Sequence, residues 1–256
     1  MEIKKVNVLG IGISVLDQNR AREFLFDSAR SGRRGYVTIT NVHSVSEAQH
    51  DVELRQVLNN ALLATPDGMP LVWMGWLQGH YSIRRVYGPD LVLNLCEHSR
   101  ENGFSHFFYG GKPGVAAELA DVLQRRFPGL HVAGTFSPPF GPLNKEELAA
   151  LVNRVRRTQP DFFWVGIGMP KQEKFMAKYL SILPEAKIFI GVGAAFDFFT
   201  GRVRQAPRWM MHLGLEWLFR LLQEPKRLWR RYLIYNPLFI VRAVGQLFGL
   251  RKELLE

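Results

Sequence analysis

From residue 6 to residue 192 short apolar runs of β character alternate with stretches of helical period, and after about residue 195 the alternation stops. The strand-like runs are 6–13, 36–40, 105–109, 130–134, 162–166 and 187–192. Between them, 18–31, 42–60, 69–78, 89–101, 114–127, 144–158 and 171–180 read as helices, with a break signalled near His50-Asp51. Asn144 followed three positions later by Glu147 is a capping-box variant, which fixes one helix start. Such alternation predicts an α/β fold: a Rossmann-like, largely parallel sheet with helices on both faces. In sheets of this kind ligands sit at the carboxyl ends of the strands. Two further helices are expected over 208–222 and 225–248, parted at Glu224-Pro225, because proline opens a helix but breaks one internally. The chain therefore divides into an α/β core over 1–200 and a helical appendage over 201–256.

That appendage is unusual in charge. From Arg202 to Glu256 there are eleven Lys or Arg against four Glu, so a surplus of seven out of the net +10 falls in about a fifth of the length. Leu215, Leu218, Phe219, Leu222, Leu228, Trp229 and Leu233 interleave with Arg220, Lys226, Arg227, Arg230 and Arg231. A basic, Trp-bearing amphipathic stretch is drawn to an anionic membrane surface or to a diphosphate-bearing lipid. No window reaches the roughly 20 unbroken apolar residues of a spanning helix, since Asn236, Pro237, Arg242 and Gln246 interrupt 233–250. Peripheral membrane contact is the expectation. The N-terminus lacks the long apolar run and cleavage site of a signal peptide. The single cysteine, Cys96, excludes an internal disulfide and suits a reducing cytoplasm. A charge of +10 also fits nucleic acid, but no finger spacing, RNA-binding signature or helix-turn-helix accompanies it, and nucleic acid is not the expected partner.

Several strand ends carry residues able to do chemistry. Gly10-Ile-Gly12 is a partial dinucleotide fingerprint; position 15 is Val, and no acidic residue closes the second strand, so the residues favour a tight turn. At Thr38-Ile-Thr40-Asn41, Asn41 either hydrogen-bonds a substrate hydroxyl or caps the next helix, and capping is the better fit to the residues alone. Thr65-Pro66-Asp67-Gly68 reads equally as a surface turn or as a carboxylate at the mouth of the sheet acting as a general base. Gly110, Gly111 and Lys112, between a strand and a helix, offer backbone N–H groups and a cation to a diphosphate, although this is not a Walker loop. Gly166 and Gly168 end another strand, with Gln172 and Glu173 in the first turn of the following helix, where Glu173 also suits the helix dipole. Asp197 after the last strand is either catalytic or paired with a nearby arginine. The seven histidines show no zinc-helix spacing, no Gly-x-Ser-x-Gly elbow is present, and no Asp-x-Asp stands at a strand end to hold a metal on a nucleotide sugar. With no metal site and no dinucleotide fingerprint, no cofactor is expected. If a diphosphate leaves, the arginines of the basic tail are the available supply of positive charge.

Taken together, the segments 65–68 with 70–73, 85–91, 108–114, 137–140, 165–173, 191–197, 206–209 and 214–232 resemble the WecG/TagA/CpsF family, glycosyltransferase family 26, in order and with natural spacing over about residues 5–240. The resemblance implies an inverting, metal-independent transfer of a hexose-type sugar from a UDP-sugar to a polyprenyl-diphosphate-linked saccharide. Such a reaction builds bacterial surface polysaccharide at the cytoplasmic, inner face of the cell membrane. It implies that Asp67 is the catalytic base, that Asn41 and Gln172 are polar residues of the active site, and that the C-terminal arginines complete the site near the membrane. Members often carry Thr two residues before the Asn; here Ile39 stands there, flanked by Thr38 and Thr40. In this scheme Thr40 and Asn41 meet substrate, Gly110, Gly111, Lys112, Gly166 and Gly168 line the nucleotide side, and Arg220, Arg227 and Arg230 hold a diphosphate. Competing classes are an NAD-dependent sugar-nucleotide oxidoreductase and a non-catalytic nucleotide-sugar-binding protein. Release of the tail would expose apolar surface and favour a homo-oligomer.

Overall fold

The computed structural model describes residues 2–250 and Leu255; the final cations of the basic segment, Arg251 and Lys252, and the rest of 251–254 and Glu256 lie outside the described residues. The elements follow in chain order: β1 (Lys5–Val8), β2 (Ile11–Ser14), α1 (Gln18–Arg30), β3 (Gly35–Thr40), α2 (Val42–Glu47), α3 (Val52–Asn59), β4 (Leu63–Pro66), α4 (Met69–Leu77), α5 (Gly88–Asn102), β5 (Ser105–Gly110), α6 (Val115–Arg126), β6 (His131–Phe136), α7 (Lys145–Thr158), β7 (Phe162–Gly166), α8 (Lys171–Ile182), β8 (Ile188–Gly191) and α9 (Ala195–Phe199). Four helices close it: α10 (Arg208–His212), α11 (Glu216–Gln223), α12 (Pro225–Leu233) and α13 (Tyr235–Leu247). A six-stranded sheet runs β4-β3-β8-β7-β5-β6, and β1 and β2 form a separate two-stranded sheet. This is the α/β, Rossmann-like architecture the alternation predicts.

Two compact units share the chain: Met1–Asp17 with Ile39–Tyr87 and Gln205–Glu256, and Gln18–Thr38 with Gly88–Arg204. The second unit carries the parallel pairings. β3 pairs with β8, β8 with β7, β7 with β5 and β5 with β6. Phe107, Phe163 and Phe189 line up across three of these strands, with ring centroids 4.9 and 4.8 Å apart. These strands read as continuous apolar runs because a parallel sheet covered by helices buries both faces. α6 packs on β5 and β6, and α8 on β7 and β8. The Asn144–Glu147 capping box starts α7, with reciprocal bonds of 2.9 and 2.8 Å.

In the first unit β4 is the sheet neighbour of β3, whose last residues Ile39 and Thr40 belong to the same unit. The run 6–13, expected as one strand, is a hairpin. Leu9 and Gly10 take φ of 53° and 81°, and β1 and β2 pair antiparallel. Two positive φ values match a two-residue turn to the twist of its strands; the tight turn read at Gly10 lies inside the run rather than after it. Glutamines serve this turn: Gln246 accepts from Leu9 N–H (2.9 Å) and donates to Asn7 O (3.0 Å), while Gln49 donates to Leu9 O (2.8 Å). Gln246 thus ties α13 to the start of the chain.

The break signalled in 42–60 is present, and three other sequence readings need correction. The helix expected over 42–60 is two, broken at the signalled His50-Asp51, where Asp51 caps α3 through Leu54 N–H at 2.9 Å. The helix expected over 208–222 is α10 and α11, parted at Gly214 with φ 71°. A Cβ on Gly214 would stand 3.3 Å from Met69 Cβ and from the Trp73 ring, so close approach and backbone both demand glycine there. The helix expected over 225–248 is likewise α12 and α13, separated at Ile234. β4 and α9 carried no assignment; four residues and five are too short for a period to show.

Candidate active site

Asp67 follows β4 directly, and its N–H donates to Thr40 O at 2.8 Å, fixing the turn against the end of β3. Val86 N–H donates to Pro66 O at 2.8 Å, which brings the 85–87 segment alongside. A cavity of about 290 Å³ opens here, within the first unit. Asn41, His43, Asp67, Arg85, Glu216, Arg220 and Arg231 are among its polar side chains. Met69, Pro70, Trp73, Leu213, Trp217 and Phe239 are among its apolar walls. Its size is at the lower end for a ligand pocket, roughly 300–1,000 Å³, so it fits part of a large substrate.

Arg85 organises the charge. Its Nη2 lies 2.5 Å from Glu216 Oε2 and 3.4 Å from Asp67 Oδ1, and its Nε donates to the Asp67 carbonyl. The guanidinium also stacks on Tyr87, 4.5 Å from the ring centroid. Burial works against the Arg85 charge, but Asp67 and Glu216 outweigh it and raise its pKa. Burial pushes the Asp67 carboxyl up to about 6; Glu216 adds to the rise, and Arg85 and Arg220 oppose it. A carboxyl titrating there is ionised at neutral pH yet far more basic than an exposed one, which suits proton abstraction. Its side chain is 17% exposed, so it remains reachable from the cavity.

Two more side chains belong to the polar lining. Arg231 is brought in by α12, and its Nε is a buried donor with no acceptor among the described residues. Burial, with Arg220 and Arg227 adding to it, lowers the Arg231 pKa against the pull of Tyr232 and Asp67. A guanidinium retained under these conditions is suited to a bound anion. His43 packs 5.4 Å from the Tyr235 ring, and burial together with Arg231 lowers its pKa to about 3, so it is neutral at physiological pH.

The structure thus gathers Thr40, Asn41, Asp67 and Arg220 in one unit. Asn41 caps α2, with Oδ1 accepting from His43 N–H (3.0 Å) and Ser44 N–H (3.2 Å), and also lines the cavity. Thr40 is fully buried and contributes its carbonyl. Arg227 is ion-paired with Glu224 and Arg230 stacks on Trp229 at 5.3 Å; neither lines the cavity. In the second unit Gly111 N–H donates to Gly166 O at 3.0 Å, and Gln172 N–H to Gly168 O at 2.9 Å. Gln172 is buried, accepting from Gly193 N–H and donating to Glu173 Oε1, each at 3.0 Å. Lys112 is exposed in the turn before α6. The Asp197 carbonyl accepts from Arg202 N–H at 2.9 Å.

Sequence reasoning assigned no role to Arg85, Glu216 or His43. Arg85 and Glu216 lie inside the segments 85–91 and 214–232, but nothing in the spacing tells that residues 131 positions apart form one ion pair. Among the described residues no group of three or more His, Cys, Asp or Glu is placed to hold a metal ion. No helix among them is long and apolar enough to cross a membrane.

Residues 6–253 match the model of the glycosyl transferase WecG/TagA/CpsF family. A protein of Bacillus spizizenii (strain W23), named N-acetylglucosaminyldiphosphoundecaprenol N-acetyl-beta-D-mannosaminyltransferase, is 33% identical over 77% of this chain and 74% of its own length. A protein of the same name from Bacillus subtilis (strain 168) is 30% identical over 77% of this chain and 74% of its own.

Proposed function

The chain belongs to the WecG/TagA/CpsF glycosyltransferase family, and we propose that it transfers a hexose-type sugar, with inversion and without a metal, from a UDP-sugar to a polyprenyl-diphosphate-linked saccharide. The relatives' names make N-acetylmannosamine the first sugar to test and a prenyl-diphosphate-linked N-acetylglucosamine the first acceptor. The observation that carries the reading is Asp67: a carboxyl held near pH 6 in a cavity that also presents the Arg220 and Arg231 side chains.

Asp67 takes the proton of the acceptor hydroxyl as its oxygen bonds to the anomeric carbon from the face opposite the nucleotide. The bond from that carbon to the phosphate oxygen breaks, and UDP leaves with the electron pair. Arg220 and Arg231 offset diphosphate charge. Of the tail arginines, Arg220 and Arg231 line the cavity, which supports giving them this role ahead of Arg227 and Arg230. Asn41 and Thr40 serve the substrate side.

The segment 201–256 is proposed as the part that meets an anionic membrane surface at the cytoplasmic face. Its support is a mixed face: Trp229, Leu233, Ile240, Val241 and Phe248 are exposed, and Lys226, Arg227 and Arg230 stand exposed on α12. Release of that face would favour self-association, which sedimentation at graded protein concentration would register. The deciding experiment is a panel of radiolabelled UDP-sugars with a short-chain lipid-diphosphate-sugar acceptor. Labelled glycolipid from the native protein, and its loss in Asp67→Asn, is the expected result. No transfer from any donor, or normal turnover by Asp67→Asn, overturns the reading.

A further inference from the structure

Arg85 faces two carboxylates and does not treat them equally. Its Nη2 is 2.5 Å from Glu216 Oε2 but 3.4 Å from Asp67 Oδ1. Its Nε, meanwhile, is tied to the Asp67 main-chain carbonyl. The guanidinium is thereby anchored beside Asp67 while its terminal nitrogen is turned toward Glu216. We propose that Glu216 is a positioning residue for the base: by engaging the Arg85 guanidinium it stops that cation from closing a full ion pair with the Asp67 carboxylate.

The physical reason is competition for one cation. An arginine that met Asp67 alone would close to a short, bidentate pair and drain the carboxylate of its basicity. Glu216 opposes this twice, by occupying the terminal nitrogen and by adding negative charge nearby. The other groups around Asp67 act in known directions. Arg220 on α11 and Arg231 on α12 stabilise its ionised form, while the Tyr87 phenol and the His43 imidazole stay neutral, raised and lowered respectively by burial first of all. Of the charged groups, Glu216 is the one that keeps the base from being silenced. Because Glu216 opens α11, in the C-terminal segment, the tuned state of Asp67 exists only with that helix in place. An appendage that binds anions would then also set the strength of the base.

This inference rests on Asp67 being the base, and the test separates the two. Full-length protein carrying carboxyl-labelled aspartate is titrated by NMR, with the Asp67 signal identified by its absence in Asp67→Asn. The native midpoint is expected near 6, as burial and Glu216 place it. In Glu216→Gln it is expected lower by roughly one to two pH units, and the acid limb of kcat/KM should move with it. Glu216→Asp, which keeps the charge on a shorter stem, should fall between. An unmoved midpoint in Glu216→Gln overturns the inference, as does an activity loss uniform across pH. If Glu216→Gln does not fold, a native Asp67 midpoint in the ordinary carboxylate range overturns it instead. Normal turnover by Asp67→Asn would sink the base itself; an inert Asp67→Asn with an unmoved Glu216→Gln midpoint sinks only this inference.

Discussion

In the first unit the charged side chains of Asp67, Arg85, Glu216 and Arg231 converge on one cavity, whereas in the second the ends of β5 and β7 come together through glycine. Gly110 has φ of 137°, and a Cβ there would stand 2.4 Å from Gly166 O; one on Gly166 would meet the Phe196 ring at 2.8 Å. Those glycines are demanded by packing whatever ligand they also serve. The charged cavity residues show the reverse: three of their ionisable groups are displaced from their ordinary pKa by burial. Strongly perturbed groups converging in a concavity are the signature of a reactive site, while close-packed glycines are equally the signature of a scaffold.

That contrast can be broken most forcefully at Gly110. Alanine there meets a backbone carbonyl in a conformation side chains avoid, and the expected cost is about 2–5 kcal/mol of stability in denaturant unfolding. A neutral Gly110→Ala would mean that the strand ends are looser than packing requires. Asp67→Asn should do the opposite. Turnover falls by on the order of a hundredfold or more, yet stability at neutral pH rises by about 1–3 kcal/mol, because a buried charge is removed. A destabilised Asp67→Asn would make the carboxylate a structural group.

Acid sharpens the comparison, since each unit holds one buried neutral histidine. His43 in the first and His106 in the second are both lowered to about 3, chiefly by burial. Unfolded, each binds a proton below about 6.5, so stability is present above that pH and is lost as pH falls. Asp67, raised in the folded state, works the other way and adds stability as pH drops through about 6. The histidines outnumber it, and a net loss of about 2 kcal/mol between pH 7 and pH 5 is expected in denaturant titrations. Equal stability at both values would refute the assignment. Next in size, Arg231→Gln should lower kcat/KM about tenfold or more and raise KM for the diphosphate substrates. Arg230→Gln, on the exposed side of α12, should leave KM within about threefold and weaken binding to anionic vesicles by about 1 kcal/mol. Equal behaviour of the two variants would erase the distinction between cavity and surface arginines.

Much of the fold was legible because its signals are local. Capping at Asn144, the break at His50-Asp51 and the apolar runs of β5, β7 and β8 depend on neighbours a few residues away. The hairpin at Leu9-Gly10 and the breaks at Gly214 and Ile234 were not, since the residues on either side continue the same pattern. Asp67 and Asn41 stood out as polar residues at strand ends. Arg85 and Glu216 did not, because their meaning lies in an ion pair across 131 positions. Arg231 was one of several tail arginines until α12 turned it, and not Arg227 or Arg230, toward the cavity.

By itself the amino-acid sequence determined the β–α alternation, the basic and apolar character of the C-terminal segment and the candidacy of Asp67, because period, charge and turn chemistry are properties of short stretches of chain. Only the tertiary structure decided which cations reach that carboxylate, that Glu216 competes for Arg85, and how far burial raises the affinity of Asp67 for a proton. Those are properties of distance and dielectric, and the chain acquires them only when segments remote in order are packed together.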